Sequence, residues 1–453
     1  MKMLEKEPII QVGILSSEKI EFILNGNFYT PSGTIFQGNQ QAVFQDGKVW
    51  FDNQFFDELV FEPNTDNASF DLMDVVIGIG FHWERKENQR FRGALKIIGQ
   101  TTHTLSVLTA INRINVEDYL TSVISSEMSA TASDELLKAH AVISRSWLLK
   151  PILEPRTKNQ ESRSATVQKT IKYKLSIINY TMWYERDAHT RFNVCADDHC
   201  QRYQGITRAT TAAVEKAIEA TRGEVLMYDD KICDARFSKS CGGASETFEN
   251  CWAPVHHPYL SKVIDNPSTP KGFKLDLTVE ANAEKWIRQS PEAFCNTTDK
   301  KILSQVLNNY DQETTDFYRW KVEYSQAELS EIICRRSGFD FGEILDLIPV
   351  KRGESARIIE LKIVGTKQNV IVGKELEIRK WLSNSHLYSS AFVLDKSEIV
   401  NNIPQRFTLT GAGWGHGVGL CQIGAAVMGE KGYQYNEILL HYFKEAELKW
   451  IYH

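Results

Sequence analysis

The chain has 453 residues, 42% of them hydrophobic, 24% charged and 11% aromatic, which excludes a disordered, collagenous or low-complexity polymer and provides for a large core. At about 150 residues per domain it accommodates roughly three domain-sized units. Fifty-two Lys and Arg stand against 58 Asp and Glu, a net charge of −6, and this balance gives no basis for nucleic-acid binding.

No run of about 18 apolar residues is present that would make a transmembrane helix. The opening MKMLEKEPIIQVGILSS lacks the apolar stretch and cleavage site of a signal peptide, so the sequence alone reads as cytoplasmic or as a trimmed form. The expected fold class is α+β. A β-rich N-terminal region spans 1–111, a mixed α/β core follows over 112–270 with an insertion at about 151–188, and its second half covers 271–453.

In chain order, IIQVGIL, KIEFIL, GNFYT, AVFQDGKVWF and ALKIIG read as short strands, with Asp46-Gly47 as a hairpin turn. From residue 116 the period becomes helical. Val116, Tyr119, Leu120, Val123 and Ile124 lie on one helix face, and Glu127 continues that same stripe. A carboxylate on an apolar face is costly unless it is paired or protonated, and this environment suits a general acid. The competing reading is a buried ion pair.

A second helix is expected over 134–149, capped by Ser133 or Asp134. Leu136, His140, Ile143 and Trp147 share its face, which makes His140 a packed core histidine. Lys138 and Arg145 fall on another face, either solvated or free to bind an anion. The polar stretch 154–170 reads as an exposed loop, and a further helix is expected over 207–222 with Gly223 at its end. VLMY–DD–KICDARF reads as a hairpin that delivers SKSCGG to a loop. Beyond it, AEKWIRQS and ELSEIICRRSG read as amphipathic helices, RIIELKIVGT and QNVIVG as strands, and KWIY as a terminal strand.

Five of the eight cysteines fall between Cys195 and Cys251. His189, Cys195, His199 and Cys200 form a two-Cys, two-His set of the kind that fills closed zinc sites, although the spacing matches no common zinc finger. A Cys195–Cys200 disulfide or unrelated thiols are the alternatives.

Two loops stand out. In FSKSCGGASETF, Gly242 and Gly243 permit positive φ and close approach, while Ser240 offers hydrogen bonds. In GAGWGHGVGLCQIGAA, glycines at 411, 413, 415, 417 and 419 surround His416 and precede Gln422. Such a loop is either a site or a crossing where two chain segments touch.

NVEDYLTSVISSEM, ELLKAHAVISRSW, FSKSCGGASET and GWGHGVGLCQIGA, in this order, resemble the SpoIID/LytB family of bacterial stage II sporulation protein D and amidase-enhancer proteins. The resemblance runs from about Asn112 to His453, and the first hundred residues look like the family's variable N-terminal part. It implies a peptidoglycan lytic transglycosylase, which cuts between N-acetylmuramic acid and N-acetylglucosamine and leaves an anhydromuramic end. Glu127 then matches the catalytic glutamate. Arg145, Ser240, Gly242, Gly243, His416 and Gln422 match residues of the sugar-binding cleft. His189, Cys195, His199 and Cys200 match the segment through which some relatives hold a structural zinc. The implied partner is the glycan strand, and the implied place is the cell envelope or periplasm. The LytB-like branch implies an alternative: a non-catalytic cell-wall-binding protein that modulates an N-acetylmuramoyl-L-alanine amidase. The sequence departs from the family pattern at Ser129, where a proline commonly follows Glu-Met, and at Cys421 and Ile423 beside Gln422.

Overall fold

The computed structural model describes residues 3–78, 84–101, 106–129, 131–154, 169–174, 177–184, 189–197, 200–208, 210–268, 275–306 and 314–453. It is an α+β protein whose N-terminal part is strand-rich. Eleven strands among the described residues join in one sheet. Its central path runs from Val194–Cys195 through Ile9–Ser17, Ser106–Asn115, Ala94–Thr101 and Glu58–Pro63 to Lys19–Tyr29. KIEFIL and GNFYT form a single strand, Lys19–Tyr29, broken by a bulge between Leu24 and Phe28. Asp46 (φ 50°) and Gly47 (φ 82°) turn the chain between Ile35–Gln45 and Lys48–Phe51, as a two-residue hairpin with positive φ at both positions demands. The sheet continues to Asn115, because Leu108–Asn115 pairs with Ile9–Ser17.

Helix α1 (Val116–Glu127) follows this strand directly, and α2 (Asp134–Leu153) comes next. Val116, Tyr119, Leu120, Val123 and Ile124 are all fully buried, so the apolar stripe faces the core as its period requires. Ser133 caps α2 by accepting from Leu136 N at 3.4 Å. The helix is enclosed on nearly every side: from Leu136 to Leu149 only Lys138 escapes burial. Lys138 and Arg145 therefore share no solvated face. Lys138 pairs with Glu135 at 2.6 Å, and Arg145 is wholly inside. The helix expected over 207–222 forms over Ala212–Ala220, because Thr211 caps Val214 N while Thr207 is spent on Arg90 N at 2.8 Å.

A second layer packs a five-stranded sheet around Tyr180, Trp320, Phe341 and Trp381. Its strand Ile177–Met182, from the expected insertion, runs parallel to Asn369–Gly373. Most of the polar stretch before it lies outside the described residues. The terminal strand Glu447–Trp450 returns to pair with Glu224–Tyr228. No helix among the described residues is long and apolar enough to cross a membrane.

Candidate active site

Glu127 ends α1, and the chain leaves the helix through Met128, whose N–H donates to Ile124 O at 2.9 Å. Its side chain keeps 16% of its surface open, and Oε2 lies 3.8 Å from Nε2 of His140, which has none. The next residues are held from the other side: Ser129 N donates to Gln305 O at 3.0 Å and Ser133 N to Gln305 Oε1 at 3.1 Å.

His140 was expected as core packing, and it is buried, with its ring edge-on to Phe237 at 4.7 Å. It is also the hinge of the site. Gln422 Nε2 sits 3.0 Å from its Nε2, and Ser144 Oγ 3.3 Å from its Nδ1. A side-chain amide donating to Nε2 leaves the ring proton on Nδ1, aimed at Ser144. Burial, and then the Lys239 ammonium, push its pKa down to about 3, so the imidazole beside Glu127 is neutral. The sequence signal for this role was weak. His140 is merely one polar member of an apolar face, and only the arrival of Gln422 from 282 residues away distinguishes it.

The two glycine-bearing loops are zipped together. Ser240 N donates to Trp414 O at 3.0 Å, Trp414 N returns to Ser240 O at 2.8 Å, and Glu246 N donates to Gly417 O at 2.9 Å. Gly242 has φ 76° and Gly243 φ 105°. The crossing is tight because a cation fills it. Arg357, fully buried, donates to Gly415 O at 3.1 and 3.2 Å and to Cys241 O at 3.2 Å. A Cβ on Gly417 would lie 2.4 Å from its Cζ. The alternating glycines thus make the crossing that the sequence offered as one of two readings. Arg357 carries no sequence signal, since it is a lone arginine at the mouth of a strand.

Within this crossing His416 is half-buried against Trp252, 4.9 Å between ring centres, and its Nδ1 accepts from Val418 N at 3.0 Å. Burial, with Arg236, Arg357 and Arg379 nearby, holds it well below the usual imidazole range. Ser240 is fully buried, its Oγ accepting from Gly242 N at 3.3 Å. Of the loop residues singled out in the sequence, Gln422 thus reaches the Glu127 group, through His140. His416 is held instead within the crossing, against Trp252 and Val418 N. Two buried hydroxyls, Ser126 Oγ next to Glu127 and Ser238 Oγ next to Phe237, have no protein partner among the described residues.

Arg145 is placed elsewhere. Its guanidinium grips Glu117 at 2.6 and 3.0 Å and Glu224 O at 3.0 Å, with no exposed surface. It is a sealed ion pair inside the helix layer, and a sugar has no route to it.

His189, Cys195 and Cys200 bring their ligand atoms within 4.8 Å of one another, with His189 Nε2 3.3 Å from Cys200 Sγ. His199 lies outside the described residues. All eight cysteines are free thiols, including Cys195 and Cys200. A cleft of about 460 Å³ adjoins this cluster, lined by Ser16, Gln89, His189, Cys195, Arg202 and Tyr203 among others; Glu127 is not one of its lining residues. A second cluster was not foreseen. Cys241, Asp265, Cys295 and Cys421 converge in the interior, where they could hold a metal ion. Burial drives the Cys241 and Cys295 thiols up. Cys421 is equally buried, but hydrogen bonds from those thiols and from the Cys241 and Gly424 N–H groups pull it the other way. Burial and the neighbouring Cys421 push Asp265 up to about 7.

Residues 105–228 match the family described as stage II sporulation protein, and residues 246–419 match a domain of unknown function, DUF8618. Over the first of these segments the chain is similar to the SpoIID/LytB family. It is 22% identical to stage II sporulation protein D of Bacillus amyloliquefaciens over 340 residues, 75% of each chain. It is 25% identical to the amidase enhancer of Bacillus subtilis over 248 residues, 51% of this chain and 32% of that one. An uncharacterized protein of Brachyspira hyodysenteriae is 26% identical over 341 residues, 75% of this chain and 68% of the relative. The first family match ends on the strand Glu224–Tyr228, so the SpoIID-type segment holds Glu127, His140 and Arg145. The glycine crossing is built mainly from the second match.

Proposed function

We propose that the chain is a peptidoglycan lytic transglycosylase of the cell envelope, with Glu127 as its one general acid and base. The observation that carries this reading is the carboxylate at the end of a buried stripe, 16% open and beside a neutral imidazole held by Gln422. A hydrolase needs two carboxylates, one as acid and one to activate water or attack the sugar. A transglycosylase needs one. The Glu127 carboxyl gives its proton to the glycosidic oxygen as the C1–O4 bond breaks. The resulting carboxylate then takes the proton of the muramic C6 hydroxyl as O6 bonds to C1, and the anhydro ring closes with no water consumed. Neutral His140 holds Gln422 in place and adds no positive charge at the carboxyl.

His189, Cys195 and Cys200 would hold a structural zinc ion, a thiolate and imidazole set suited to that metal. This centre would clamp the segment whose Gln201 bonds Tyr119 on α1 at 3.2 Å and Ser144 O on α2 at 3.3 Å, directly behind His140.

Digestion of purified glycan strands, with and without stem peptides, followed by mass analysis tests the activity. Anhydromuramic ends are the expected product. Their absence from both substrates ends the reading. The alternative then takes its place, a modulator of a wall amidase, favoured by the relative named amidase enhancer; it predicts faster amidase turnover when the chain is added.

A further inference from the structure

The buried cluster of Cys241, Asp265, Cys295 and Cys421 has no part in the glycan chemistry, and its four members come from four separate segments. Cys241 lies in the Ser-Cys-Gly-Gly loop. Asp265 follows the bridge between Ala244 and Ile264. Cys295 lies beyond the helix Glu280–Arg288, and Cys421 caps the helix Gln422–Glu430. All four are essentially without exposed surface.

We propose that these four residues bind a zinc ion that staples the glycine crossing to the helix bearing Gln422. The geometry fits one tetrahedral ion. The ligand atoms all lie within 4.8 Å of one another. Cys241 Sγ and Cys295 Sγ are 3.7 Å apart, whereas two sulfurs on one zinc at about 2.3 Å each should stand about 3.8 Å apart. A disulfide would need about 2.05 Å. Three thiolates and one carboxylate are a closed zinc set with no position left for substrate.

The surroundings are those of a ligand shell. Tyr442 Oη donates to Asp265 Oδ1 at 2.5 Å, and Cys295 N donates to Oδ2 at 2.7 Å, which fixes the carboxylate in place. Backbone N–H groups point at sulfur, from Cys241 N to Cys421 Sγ at 3.2 Å and from Gly243 N to Cys241 Sγ at 3.4 Å. Cys421 stands at the N-terminus of a nine-residue helix, where a thiolate is favoured. Space has been cleared for the carboxylate: a Cβ on Gly424 would lie 2.2 Å from the Tyr442 oxygen and 2.5 Å from Asp265 Oδ1. Burying three thiols and a carboxylate together is costly without a cation to share, and Arg319, which donates to Gly242 O at 3.0 Å, covers one side only.

The consequence is positional. Cys241 adjoins Ser240, which pairs with Trp414, and Cys421 adjoins Gln422, which holds His140 beside Glu127. One ion therefore ties both loops and the carboxylate's neighbour into one unit. Binding free energy of this kind is also folding free energy.

The test is metal analysis of protein purified under reducing conditions without chelator. The Cys195→Ser/Cys200→Ser variant removes the other cluster and leaves this one intact. It is expected to retain one zinc per chain, with an X-ray absorption shell of three sulfurs and one oxygen. Adding Cys295→Ser and Cys421→Ser should remove that zinc. Zinc-free Cys195→Ser/Cys200→Ser protein overturns the proposal, as does a nitrogen-containing shell in it. A Cys241–Cys295 disulfide in peptides mapped from the unsubstituted chain overturns it as well. Should the variants fail to fold, cobalt exchange into the unsubstituted chain decides. Per bound ion, a thiolate charge-transfer band that survives alkylation of the half-exposed Cys195 and Cys200 supports the site, and its complete loss refutes it.

Discussion

The antiparallel pair α1 and α2 carries two carboxylates against two basic residues, and the two contacts are opposites. At one end Glu117 is saturated. It takes Arg145 at 2.6 and 3.0 Å, Tyr452 Oη at 2.6 Å and Gly223 N at 3.1 Å, all in the interior. At the other end Glu127 lies 3.8 Å from His140, beyond hydrogen-bond reach, and partly open. A carboxylate sealed in the interior by four donors cannot trade its proton with a substrate, whereas one that keeps part of its surface open beside a neutral ring is accessible. The same two helices thus supply a buried rivet at one end and a partly open carboxylate at the other.

The sharpest way to break this contrast is Glu127→Gln. It keeps shape and removes the titratable proton, so release of anhydromuramic fragments should fall by about 10²–10⁴-fold, with the thermal midpoint little changed. Undiminished product would make the two ends equivalent. Arg145→Met should do the reverse. It leaves Glu117 buried without its cation, and urea unfolding should show a loss of about 3–5 kcal/mol, while turnover per folded molecule stays within a few-fold. Acid sharpens the comparison further. The unfolded chain protonates His140 near its ordinary pKa of about 6.5, but the folded chain resists until about 3. Stability from this group is therefore whole above about pH 6.5 and declines as pH falls toward 3, by at most about 1.4 kcal/mol per unit. Denaturation midpoints from pH 7 to 4 should show that slope, and His140→Asn should flatten it. The smallest effect belongs to Gln422→Ala, which removes one buried donor and should cost about 1 kcal/mol.

Much of this was legible in the sequence, for identifiable reasons. The stripe of Val116, Tyr119, Leu120, Val123 and Ile124 that leads to Glu127 is legible from its period, and Asp46-Gly47 and Ser133 from local turn and cap chemistry. These signals live within a dozen residues. Helical spacing puts Arg145 on one face with Lys138, solvated or anion-binding, whereas Arg145 is buried against Glu117. The run AHAVISRSWLL, with a single charge in eleven positions, describes a helix buried all round. His140, Arg357, Asp265 and Cys295 were beyond reach for another reason: each gains its meaning from a partner far along the chain, and no spacing rule registers that. The three-residue cluster His189, Cys195 and Cys200 was visible because its ligands are neighbours in sequence, and its buried counterpart was not because its ligands are not.

The zipped loops and the helix pair also differ in how far along the chain their partners lie. Glu117 meets Arg145 across 28 residues, but Cys241 meets Cys421 across 180. Short loops close quickly and long ones late. The α1–α2 contact, which sets Glu127 beside His140, thus closes a far shorter loop than the crossing that brings Gln422. In a chain made from its N-terminus, His140 therefore precedes by 282 residues the Gln422 amide that meets its ring.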